Sequence, residues 1–148
     1  LMSYAGNTDV EERLGSTLYV QLTDDAGTGS ADEDKVAEAL LGAEGEVNSY
    51  LGRRYAVPID VSTYSGVAAV LKSVTLDLVE YRLHTRRPPV PDDVRRKKEA
   101  AVKWLERVAS GRATLPAANE IQGNQVDGII GEVVGSDRVM SREELEDL

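Results

Sequence analysis

Residues 30–51 read SADEDKVAEALLGAEGEVNSYL, and this stretch decides the fold. Val36, Ala39, Leu40, Ala43, Val47, Tyr50 and Leu51 recur at steps of three and four, which puts them on one face of a helix. Ser30-Ala31-Asp32-Glu33 has the spacing of a capping box at its start. Pro58 lies beyond its end. Working toward the N-terminus, Thr8-Asp9-Val10-Glu11 predicts a second capping box, opening a short helix that Gly15 ends. Ser16 is read as the cap of a further short turn, with Leu18, Val20 and Leu22 as its apolar contacts.

Working toward the C-terminus, Val67, Val70, Leu71, Val74, Leu78 and Tyr81 predict a helix from near Ser65. Pro88-Pro89-Val90-Pro91 cannot be helical and ends it. Asp92 and Asp93 then suit the start of another helix, where negative charge meets the dipole. Val94, Ala101, Trp104, Leu105 and Val108 form its stripe, and Gly111 suits the position just past its end. The expected fold is an all-α bundle of about four helices over residues 1–116. Its core should join Val36, Leu40, Val47, Leu51, Leu71, Val74, Leu78, Trp104, Leu105 and Val108. Residues 117–148 read as a flexible Gly-rich loop and tail, with Gly123, Gly128, Gly131 and Gly135 among polar side chains.

Composition narrows the chemistry. The 148 residues include no Cys and one His, which removes thiol nucleophiles, thiolate metal sites and paired-histidine sites. No apolar run is long enough to span a membrane, and no basic-then-apolar leader opens the chain. These features predict a soluble, intracellular, non-catalytic domain without a cofactor. Gly123 to Gly128 has the glycine spacing of a phosphate loop, but Ile129 and Ile130 stand where Lys and Ser/Thr are needed. Asp32-Glu33-Asp34 lacks the calcium-loop glycine, Ala37 occupying that position. His84 sits beside Arg82, Arg86 and Arg87, as a residue complementing a helix end does.

Charge is the positive clue. The net charge of −9 disfavours binding DNA over the whole surface. Residues 1–60 hold twelve Asp/Glu against four Lys/Arg, residues 61–112 six against eleven, and residues 113–148 eight against two. A subunit with one basic and one acidic side can stack head-to-tail with copies of itself. The basic run Arg82, Arg86, Arg87, Arg95, Arg96, Lys97 and Lys98 is the expected subunit contact. The alternative is a small helical nucleic-acid-binding regulator using 82–98, but the run has no interleaved aromatic after Tyr81 and no Asn or Gln readers. Arg138, Val139, Met140, Arg142 and Leu145 mix apolar anchors with arginine, as docking segments do.

Several stretches together resemble a known family. They are Tyr4-Ala5 with Asp9-Val10 and Arg13-Leu14-Gly15, Gln21 to Asp24, Val47 to Pro58, Tyr81 to His84, Arg107 to Gly111 with Leu115-Pro116, and Asp137 to Arg142. The Tyr-Leu-x-x-Arg-Tyr-x-x-Pro element at 50–58 is the most specific of them. In order and over nearly the whole chain, these resemble the Mu-like phage and prophage head–tail connector proteins, also described as adaptor or neck proteins. The resemblance implies a non-enzymatic helical subunit that forms a ring between the portal protein and the next neck or tail protein. DNA would pass through the ring without specific binding. The implied location is the virion neck after assembly and the bacterial cytoplasm before it. Within the element, Arg53 and Arg54 are expected to favour the dipole of the helix they close, with Tyr50, Leu51 and Tyr55 buried and Pro58 turning the chain.

Overall fold

In a computed structural model, residues 3–116 are described, and they form five helices with no strand. These are α1 (Asn7–Leu14), α2 (Ser16–Thr23), α3 (Glu33–Leu51), α4 (Ser65–Thr85) and α5 (Asp92–Ala109). The all-α bundle is as expected, with α2 a full helix of eight residues where only a turn was foreseen. It earns its place by burying Tyr19, Leu22 and Thr23.

Helix α4 is the axis. It buries Val67, Leu71, Val74, Leu76, Leu78, Val79 and Leu83 on nearly all sides, so a single apolar stripe understates it. Helices α3 and α5 each bury one face against α4 and against one another, and α1 and α2 close the remaining side. Nine of the ten expected core residues are buried, and Trp104 is half-buried at the edge of the same cluster.

Both expected capping boxes shift by two residues. Helix α3 is capped by Asp32, whose carboxylate accepts from Asp34 N (3.1 Å) and Lys35 N (3.3 Å). Asp32 N in turn donates to Thr23 Oγ1 (3.2 Å), which fixes the cap in extended backbone, and Ser30 stays outside. Helix α1 starts earlier, because Tyr4 and Ala5 are buried and deliver the chain straight into Asn7. Its cap is Gly6, whose N–H donates to Asp9 Oδ2 (2.8 Å). Gly15 ends α1 and opens α2 at φ 81°, a conformation that glycine adopts without strain. Pro91 precedes α5 in extended backbone, and Gly111 follows it at φ 80°.

Candidate interaction surfaces

Three anchoring arrangements decide which polar side chains remain for partners. The first seats the N-terminal segment. Tyr4 N donates to Glu44 Oε1 (2.7 Å), and Ser3 Oγ donates to the same carboxylate. Tyr4 Oη donates to Asn48 Oδ1 (2.6 Å) and accepts from Ile59 N (2.9 Å), so one phenol joins α3 to the 52–64 loop. Burial pushes the phenol above its usual pKa, opposed by the Ile59 N–H.

The second arrangement is the Arg54–Tyr55 pair. Arg54 Nη1 donates to Val108 O and Ala113 O, both at 3.1 Å, and so holds the end of α5. The expectation that Arg54 serves its own helix is corrected: the chain turns after Leu51 and aims the guanidinium at a neighbour's terminal carbonyls. Arg53 is exposed. Leu51 and Tyr55 are buried as expected, Tyr50 is half-buried, and Leu115 N donates to Tyr55 Oη (3.0 Å).

The third arrangement divides the basic run. Arg86 Nη1 donates to Leu22 O (2.5 Å) and its Nη2 reaches Asp25. Arg87 donates to Asp24 O (3.0 Å) and pairs with Asp25 at 3.3 Å. Both therefore pin the α2–α3 loop to the end of α4. Arg82 lies across α3 at Gly42, where a Cβ would stand 2.9 Å from its Nη1, and bonds Glu46 at 2.8 Å. On α5, Arg95 pairs with Asp92 (3.1 Å), Lys97 with Glu80 (3.5 Å), and Lys98 lies 5.2 Å from the Tyr81 ring centre. Arg96 has no ion pair among the described residues.

Lys103 and Arg107 share the outward face of Arg96 and have no ion pair among the described residues either. Sequence reading missed them, though their spacing from Arg96 (seven and eleven residues) carries the helical phase. The expected docking residues Arg138, Val139, Met140, Arg142 and Leu145 lie outside the described residues, as does all of 117–148. His84 is buried in the last turn of α4.

Two ion pairs tie α1 to α4: Lys72–Asp9 at 2.6 Å and Arg13–Asp77 at 2.5 Å. The Lys72 ammonium, helped by Gly6 N–H, holds Asp9 below its usual pKa. For Asp77, burial outweighs Arg13 and raises the pKa. Beside Lys72 lies an apolar depression of about 500 Å³, bordered by Tyr4, Ala5, Val61, Ala68 and Ala69. Its charged side chains, Asp9 and Lys72, are bonded to each other. Among the described residues no cluster of His, Asp or Glu is arranged to hold a metal, and no helix is long and apolar enough to cross a membrane.

A family model described as bacteriophage Mu, Gp36 matches residues 4–128. The chain belongs to this family. Its Gp36-family match begins at Tyr4, the residue that seats the N-terminal segment, and takes in the Arg54–Tyr55 pair. The chain is 31% identical over 120 residues to a Mu-like prophage FluMu protein gp36 of Haemophilus influenzae, covering 81% of this chain and 80% of that protein. It is thus a Mu-like phage protein with an all-α fold.

Proposed function

We propose that this Gp36-family chain is a structural head–tail connector subunit. It assembles as a ring between the portal protein and the next neck or tail protein, built on one repeated charged contact between copies. It has no catalytic role, carries no cofactor and does not enter a membrane. It resides in the host cytoplasm before assembly and in the virion neck afterwards. Residues 138–148 dock on the portal or on a neighbouring copy.

The observation that carries this reading is the set of exposed cations on α5 that make no ion pair among the described residues, in a chain whose helices α1 and α3 are acid-rich. Charge of this kind directs association between copies rather than stabilising one copy. The anchoring of Arg82, Arg86 and Arg87 within the chain takes them away from the rival phosphate-gripping role. The test is electron imaging of the full chain mixed with its portal protein. Rings seated on the portal support the reading. Tight binding of duplex DNA at physiological salt, with no portal association, replaces it with the regulator.

A further inference from the structure

Two outward helix faces are left unsatisfied by the packing. On α3, Leu41 is 66% exposed, and just past the helix Val57 is 39% exposed. These are the large apolar side chains left in solvent among the described residues. Leu41 shares its face with Asp34, Glu38, Gly45 and Ser49, all exposed. Val57 closes the far end, since a Cβ at Gly52 would lie 3.4 Å from its Cγ2. Glu33, Asp34 and Glu38 make no ion pair among the described residues.

On α5, Arg96, Ala100, Lys103 and Arg107 form an exposed lane, with Glu99 and Glu106 along one edge. Its cations make no ion pair among the described residues, whereas Arg95 and Lys97 to either side are paired. Helices α3 and α5 meet through their buried faces, so their outward faces look away from each other. One copy cannot bring the two faces together.

We propose that the outward face of α3 in one copy receives the outward face of α5 in the next. The two helices run antiparallel across the contact, so that Glu33, Asp34 and Glu38 meet Lys103 and Arg107, and Leu41 packs over Ala100, the small apolar residue in the basic lane. The occupant is a second copy of this chain. Because the two faces differ, the contact is heterologous and repeats from copy to copy, closing into a ring or running on as a filament. This rests on the connector reading and supplies its contact.

The natural chain has no Cys, so disulfide trapping reads the contact directly. Full-length Leu41→Cys and Ala100→Cys proteins are mixed and gently oxidised. The mixed disulfide should exceed either homodimer by about tenfold, since only the mixed pair brings opposite charges together. A chain carrying both substitutions should form a ladder of head-to-tail oligomers. Lys103→Glu should suppress the mixed product, and Glu38→Lys in the other protein should restore it. Both cysteines replace exposed residues, and thermal melting shows whether each variant is folded. Homodimers equal to the mixed product, no cross-link at all, or no restoration by the charge swap overturns the contact. Portal-seated rings that lack the cross-link overturn the contact and leave the connector reading intact. A ladder without portal association does the reverse.

Discussion

Arg86 and Arg96 belong to one basic run in the sequence, yet the fold gives them opposite duties. Arg86 is spent on the Leu22 carbonyl and Asp25, while Arg96 faces outward without an ion pair among the described residues. The difference is one of surroundings. At the end of α4, the terminal carbonyl of α2 and the acids of the following loop converge, and a guanidinium with several donors satisfies them together. Along α5, the outward face is exposed and offers no converging acceptors among the described residues. Net charge in a sequence block therefore overstates what is available to a partner, and helical phase corrects it.

The largest expected effect calibrates the comparison. Leu51 is fully buried, so Leu51→Ala should cost about 2–5 kcal/mol in denaturant unfolding. A loss well under 1 kcal/mol would mean that the α3 stripe is misassigned. Arg86→Ala comes next, at about 1.5–3 kcal/mol, because hydrogen bonds to a charged group are lost and the α2–α3 loop is released. If Arg86→Ala melts like wild type, the division between anchoring and outward cations fails.

A carboxylate offers the matching case of internal satisfaction. Asp60 accepts from Ser62 N (2.9 Å), Ser62 Oγ (2.5 Å), Thr63 N (3.1 Å) and Thr63 Oγ1 (2.7 Å). These donors hold its pKa at about 2, below the ordinary 3.8. A depressed carboxylate pKa stabilises the folded turn above pH 3.8 and loses that contribution as pH falls toward 2. Carboxyl-carbon NMR should show the Asp60 midpoint near 2, and a midpoint near 3.8 would mean that the turn is not formed in solution. The smallest effect belongs to α5. Arg96→Ala, Lys103→Ala and Arg107→Ala should each move the stability of the isolated chain by no more than about 0.5 kcal/mol. A larger loss in any of them would place that cation among the anchors.

Much of the fold is legible because α3 and α5 each bury one face, and one-sided burial writes a period into the sequence. Helix α4 was legible in extent but not in depth. Leu76, Val79 and Leu83 fall off the single stripe and are buried because neighbours surround that helix. Cap positions slipped for a tertiary reason: Thr23 fixes Asp32, and the buried Tyr4–Ala5 segment sets the entry to α1. The duties of Arg54 and Arg86 were illegible, because their carbonyl partners lie more than fifty residues away in the chain. Lys103 and Arg107 are readable from helical phase alone, but the denser charge at 95–98 masks them in the sequence.

The Tyr4 phenol has a consequence for how opening of the chain can be watched. The Ile59 amide donates to it rather than to a helix carbonyl, so that proton is shielded only while the N-terminal segment is seated. Its exchange with deuterium reads the detachment of one end of the molecule, separately from the melting of the bundle. A single backbone hydrogen becomes a clock for the N-terminus, set by a side chain that the family match begins with.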